Sequence, residues 1–153
     1  MERIKITNGR IITPYRLIKK GCIMIENGVI SSVCEGDINA GECLVLDACG
    51  NYVSPGFIDI HSHGGGGFDF MDGHMEAFVG AAELHARHGT TSMVPTTLSG
   101  TNEELKNTFE AYKKAKAVNK KGAEFLGIHL EGPYLSMEQR GAQDPRHIRN
   151  PKA

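Results

Sequence analysis

Two histidines set two positions apart, His61 and His63, follow the apolar run Phe57-Ile58-Asp59-Ile60. On an extended strand, residues i and i+2 point to the same side, so both imidazoles can converge on one point. Neutral imidazoles at a strand end suit Zn²⁺ or Fe²⁺, the alternative being two unrelated surface histidines. Glu131 lies in His129-Leu130-Glu131-Gly132-Pro133, at the end of a later apolar run. A carboxylate there is a hard oxygen donor facing the same mouth as the histidines, unless it serves as a helix cap or in a surface ion pair. His129 beside it is either a supporting group or a packed ring. Gly64 to Gly67 allow a backbone to approach a ligand closely, or form a flexible loop. No helix opens at the last of these glycines and no lysine follows, which argues against a dinucleotide or P-loop site.

The elements that must position these groups follow from the pattern of the chain. Lys5-Ile6-Thr7 and Arg10-Ile11-Ile12 flank Asn8-Gly9, and Ile23-Met24-Ile25 and Val29-Ile30 flank Glu26-Asn27-Gly28. Asn-Gly between β-branched runs predicts a hairpin turn in both places. Cys43 to Leu46 is a further strand, so the first fifty residues read as a small β unit. From Ser54-Pro55-Gly56 onward apolar runs alternate with amphipathic stretches. Met75, Phe78, Val79 and Ala82 recur at helical spacing, with Gly89 at the C-cap. Thr91 to Val94 is a strand stopped by Pro95. Thr101 and Glu104 form a capping box that opens a helix carrying Leu105, Phe109 and Tyr112 on one face. Phe125 to Leu130 is the third strand. The order β-α-β-α-β means parallel strands with right-handed crossovers, which begin either a doubly wound sheet or a (β/α)₈ barrel. His74, His85 and His88 read as helix-face residues. His147 falls in the polar, proline-containing end, where no last helix covers the third strand, so the fold reads as unfinished.

The segment Pro55-Gly56-Phe57-Ile58-Asp59-Ile60-His61-Ser62-His63 resembles the start of the barrel in the amidohydrolase superfamily, whose first strand closes on two metal ligands. Within that superfamily, His129-Leu130-Glu131-Gly132-Pro133 resembles the N-acetylglucosamine-6-phosphate deacetylases, in which this glutamate holds the catalytic metal. The glycine-rich loop, Gly89 to Thr97 and Gly141-Ala142-Gln143-Asp144-Pro145 are similar to the same family. The resemblance implies an α/β fold, the first three or so strands of a TIM-type (β/α)₈ barrel at 54–153, preceded at 1–53 by part of a flanking β-sandwich. It implies one or two divalent ions, Zn or Fe, held by Glu131, His61 and His63, with Ala142 and Gln143 near the sugar. The reaction implied is hydrolysis of the acetamido group of N-acetylglucosamine 6-phosphate to glucosamine 6-phosphate and acetate, by a homo-oligomeric full-length enzyme. Two further histidines and a general-base aspartate are expected beyond residue 153, so the chain alone is expected to be inactive. The alternatives are deacetylation of N-acetylgalactosamine 6-phosphate, or a non-catalytic metal-binding fragment.

Composition narrows the classes. The 153 residues are 40% apolar and 23% charged, as in a soluble globular domain. A formal charge of −1 provides no electrostatic footing for nucleic acid or an anionic membrane. No apolar run is long enough to span a bilayer, and no signal-peptide pattern follows Met1, so a cytosolic setting is expected. Cys22, Cys34, Cys43 and Cys49 form no C-x-x-C pair and are expected to be reduced thiols rather than a zinc ribbon or a disulfide framework.

Overall fold

The computed structural model describes residues 2–151. The chain divides into two compact units, one ending at Pro55 and the other starting at Gly56. In the first unit, β1 (Arg3–Ile12), β2 (Leu17–Glu26) and β3 (Val29–Glu35) form an antiparallel meander. β4 (Leu44–Asp47) and β5 (Tyr52–Val53) return parallel to β1 on its other side. Ile11, Ile18 and Ile23 are buried together, with Ile6, Ile25 and Val53 packed against them. Asn27 and Gly28 connect β2 to β3 with φ of 51° and 79°, the two positive angles that a type I′ hairpin turn requires.

The other Asn-Gly pair behaves differently. β1 runs straight through Asn8-Gly9, and the register with β2 shifts there instead. Asn8 keeps its left-handed φ of 56°, but as a bulge rather than a turn. The reason lies on the far edge of β1. Thr7 and Asn8 carbonyls accept from Ala48 and Gly50, and Arg10 donates to Asn51, so these tertiary bonds hold the strand extended. All four cysteines are free, and burial pushes the Cys22 thiol up to about 11.

The second unit is a parallel sheet of β6 (Phe57–Ser62), β9 (Thr90–Pro95) and β10 (Glu124–Phe125), with β9 in the middle. α1 (Met75–Arg87) leads from β6 to β9, and α2 (Asn102–Val118) leads from β9 to β10. Between β6 and α1 the glycines make a small hairpin, β7 (Gly64–Gly65) and β8 (Phe68–Asp69), so that segment is built rather than loose. Gly66 and Gly67, at φ of 66° and 87°, turn it without a steric cost that other residues would meet.

α1 starts at His74, whose Nδ1 accepts from the Ala77 amide, and stops before Gly89 at φ 95°. α2 starts with the Thr101–Glu104 capping box. Its buried stripe is Leu105, Thr108, Ala111 and Ala115, while Tyr112 packs from the flank. Phe78 from α1 is fully buried, with ring centroids 4.8 Å from Phe70, 6.2 Å from Phe125 and 6.1 Å from Tyr112. Alanines 81, 82, 111, 115 and 123 fill the space between these rings and Met93. Small residues here let the segment between α2 and β10 lie close on α1, since a Cβ on Gly122 would fall 2.6 Å from that of Ala82.

The third strand is shorter than its apolar run. Regular pairing covers only Glu124–Phe125. Leu126 then donates to Met93, and His129 donates to Pro95. The donors are three residues apart and the acceptors two, so one extra residue is bulged out at Gly127-Ile128. Pairing resumes as a parallel bridge between His129 and Thr96. Because Phe78 touches every aromatic of this core, Phe78→Ala is expected to destabilise the unit by ~3–5 kcal/mol, read as a lower midpoint in urea denaturation.

Candidate metal centre

The strands of the second unit run parallel, so their C-terminal ends share one rim, where ligands gather in parallel α/β folds. His61 stands at the end of β6, His63 one turn of the pleat beyond it, and Glu131 two residues after the bridge at His129. The structure brings these three side chains together. His61 Nε2 lies 2.9 Å from Glu131 Oε2, and His63 Nε2 lies 3.2 Å from the same oxygen. All three donor atoms fall within 4.8 Å of one another. The two imidazole rings stand edge to face with centroids 5.2 Å apart. His129 lies alongside, its ring 4.8 Å from that of His61, so it belongs to the rim rather than to the core.

Paired threonines hold the two ligand-bearing segments in place. Thr96 and Thr97 follow β9 and are fully buried. The Thr96 amide donates to the Ser62 carbonyl, and the Ser62 amide donates back to Thr96 Oγ1. On the opposite side, the Thr97 amide donates to His129, and the Glu131 amide donates to Thr97 Oγ1. Asp59 accepts from the His61 amide at 3.1 Å through Oδ1. His85 reaches across from α1 so that its Nε2 sits 3.0 Å from the Gly64 carbonyl and 3.3 Å from Ser62 Oγ. The helical spacing places His85 on α1 but carries no trace of this contact, which depends on the fold of the glycine hairpin. His74 and His88 cap the two ends of α1 rather than lying on its face, His88 being bonded to the Leu84 carbonyl.

Ala142 and Gln143 are placed differently from each other. Ala142 is exposed in a turn, whereas Gln143 is 5% exposed. Its Nε2 donates to Glu131 Oε1 at 2.8 Å, and its Oε1 accepts from the Ser99 amide at 2.7 Å. Asp144 next to it is held by Arg146, whose guanidinium keeps the carboxyl well below the usual carboxylate range, so Asp144 is a poor proton acceptor.

The donor set fits a divalent cation. Zinc and iron take imidazole nitrogen and carboxylate oxygen at about 2.0–2.2 Å, which puts neighbouring donors ~3 Å apart. The two short spacings here are of that size. One carboxylate oxygen facing two Nε2 atoms satisfies both rings by hydrogen bonding only if both carry a proton there. A cation at their centre satisfies all three lone pairs. His63 Nδ1 is buried without a hydrogen-bond partner, so the polar contact recorded for that ring is the one its Nε2 makes with Glu131.

The amidohydrolase family profile matches residues 52–153. The chain belongs to the amidohydrolase family. This amidohydrolase is 36% identical over 153 residues to an N-acetylglucosamine-6-phosphate deacetylase of Bacillus subtilis, covering 97% of this chain and 38% of that protein. A deacetylase of the same name from Haemophilus influenzae is 31% identical over 94% of this chain and 38% of its own length. Among solved structures, N-acetyl-D-glucosamine-6-phosphate deacetylase from Mycobacterium smegmatis superposes with a TM-score of 0.79 at 29% identity, over 99% of this chain and 41% of that one. The Thermotoga maritima N-acetylglucosamine-6-phosphate deacetylase gives 0.76 at 30% identity, over 97% and 37%. The amidohydrolase chain thus spans less than two fifths of the length of the curated relatives it matches. No helix among its described residues is long and apolar enough to cross a membrane.

Thr97→Val keeps the shape of the buried side chain but removes the acceptor for the Glu131 amide. It is expected to cost ~1–2 kcal/mol and to raise hydrogen exchange at Glu131 while leaving exchange in α1 unchanged, as read by NMR.

Proposed function

We propose that this amidohydrolase chain supplies metal-holding groups for hydrolysis of the N-acetyl group of N-acetylglucosamine 6-phosphate, giving glucosamine 6-phosphate and acetate. The observation that carries the reading is the convergence of His61, His63 and Glu131 at one rim, in a chain whose named relatives are deacetylases of that sugar phosphate. In this reading β6, β9 and β10 are the first three strands of a (β/α)₈ barrel (residues 54–153), and residues 1–53 are part of a flanking β-sandwich. Glu131 holds a Zn or Fe ion, and His61 and His63 hold the same ion or a second one. A divalent ion at these groups would supply Lewis-acid activation of water and of the acetamido carbonyl.

This chain's own residues do the binding and the orienting. Glu131 and the histidines fix the position at which the amide is attacked. Ala142 and Gln143 lie in a turn beside Glu131, where the sugar would pass, with Ala142 the more open of the two. The proton transfers need a separate group, since general acid–base help is typically worth ~10²–10⁴-fold and Asp144 is tied to Arg146. By resemblance that group is an aspartate contributed by the remainder of a family-length protein, and that full-length enzyme is a homo-oligomer.

The test is a chimera in which residues 1–153 replace the matching segment of the Bacillus subtilis relative. It is expected to bind Zn²⁺ and release acetate from N-acetylglucosamine 6-phosphate in preference to the galactosamine isomer. Glu131→Ala in it is expected to abolish metal uptake and turnover together, while the 153-residue chain alone binds metal and releases no acetate. A folded chimera that takes up metal without turnover would leave only a metal-binding role.

A further inference from the structure

Gln143 sits 44 residues after Ser99 and 12 after Glu131, yet its side chain spans the gap between them. The orientation of its amide is determined by its partners. The Ser99 backbone N–H can only donate, so the atom it meets at 2.7 Å must be the amide oxygen. The amide nitrogen is then the atom that faces Glu131, and an ionised carboxylate can only accept. Both ends of the amide are satisfied in one sense and in no other. At 5% exposure water competes little for either bond, and a buried amide that lost them would carry the full desolvation cost. The turn that bears Gln143 is fixed as well: its amide donates to the Arg140 carbonyl, and its own carbonyl accepts from Arg140 Nη1 at 3.0 Å.

The consequence falls on Glu131. With Oε1 held by Gln143, the carboxylate cannot turn about its last torsion without breaking a bond to a donor that has no alternative partner. The other oxygen, Oε2, is left pointing between His61 and His63. We infer that Gln143 is a positioning residue for Glu131, occupying one carboxylate oxygen so that the other is presented, singly and in a fixed direction, to a divalent cation shared with His61 and His63. This rests on the reading of those three residues as a metal centre. It gives Gln143 a task distinct from touching the sugar, since each end of its buried amide is already engaged, one by Ser99 and the other by Glu131. Outer partners of this kind typically change metal affinity 10–100-fold when removed.

The test titrates Co²⁺, whose visible spectrum reports ligand geometry, into the purified 153-residue chain and its Gln143→Met variant, which keeps the length of the side chain and removes both hydrogen bonds. Circular dichroism and thermal melting establish that the variant is folded. The expected result is 10–100-fold weaker Co²⁺ binding with an altered absorption band, against a far-ultraviolet spectrum that matches the parent. In the metal-free parent, the Gln143 side-chain amide protons are expected to exchange slowly and to show cross-peaks to Glu131 in NMR. This second measurement stands even where the variant fails to fold. Equal Co²⁺ affinity and an unchanged band in a folded variant would overturn the inference while leaving the metal centre intact. Fast exchange of the Gln143 amide in the parent would overturn it too. Failure of the parent to take up Co²⁺, or uptake unaffected by Glu131→Ala, would instead remove the metal centre on which it rests.

Discussion

The rim of the second unit depends on the reciprocal bonding of Thr96 and Thr97. A parallel ladder ends where its strands end, and the residues beyond it would ordinarily splay apart. Here two successive buried threonines continue the ladder in opposite directions, Thr96 to Ser62 and Thr97 to His129 and Glu131. Each uses its amide and its hydroxyl, so each side is held by two bonds rather than one. Without this the histidine-bearing and glutamate-bearing segments would share a sheet but have no fixed separation at its edge. The spacings of about 3 Å between Glu131 and the two imidazoles follow from that separation.

The bulge at Gly127-Ile128 serves the same end. An uninterrupted strand from Phe125 would alternate its side chains in strict register with β9. One inserted residue shifts that alternation before His129. Because a one-residue shift reverses which face each side chain occupies, it decides that Glu131 meets the histidines instead of pointing away from them. Gly127 has nothing within 4 Å of where a Cβ would lie, so the position is not forced by crowding. What the structure fixes there is the pairing on either side.

The convergence of His61, His63 and Glu131 was legible in the sequence because its signals are local. Two histidines at i and i+2 after an apolar run, and a glutamate after another, need only the strand rule to be placed on one rim. The capping box of α2 and the Asn27-Gly28 turn were legible for the same reason, since each is satisfied by bonds within a few residues. The features that the sequence did not record all depended on distant partners. Asn8-Gly9 has the same local preference as Asn27-Gly28, but β4 and β5 bond to the far edge of that strand and hold it open. The third strand has a largely apolar run, but its register is set by β9. His85 and Gln143 act on residues more than ten positions away, and no periodicity records that.

The support given to the three donor groups is unequal. Glu131 is held at its amide by Thr97 and at one oxygen by Gln143, so its direction is fixed by the rest of the unit. His61 is held at its amide by Asp59, and its ring meets Glu131, His63 and His129 of the same rim. The His63 ring has a buried nitrogen with no hydrogen-bond partner. β6, which carries His61 and runs straight into His63, pairs with β9 alone among the described strands, and Ile58 and Ile60 on it remain 63% and 69% exposed. The carboxylate is therefore directed by hydrogen bonds from outside the cluster, a support the two imidazoles do not share. A divalent cation held here would take its oxygen from a carboxylate already fixed in direction by Thr97 and Gln143. Its affinity is then set by the rigidity of the glutamate side and by whatever packs against the open edge of β6, and these two contributions lie on opposite sides of the same threonine pair.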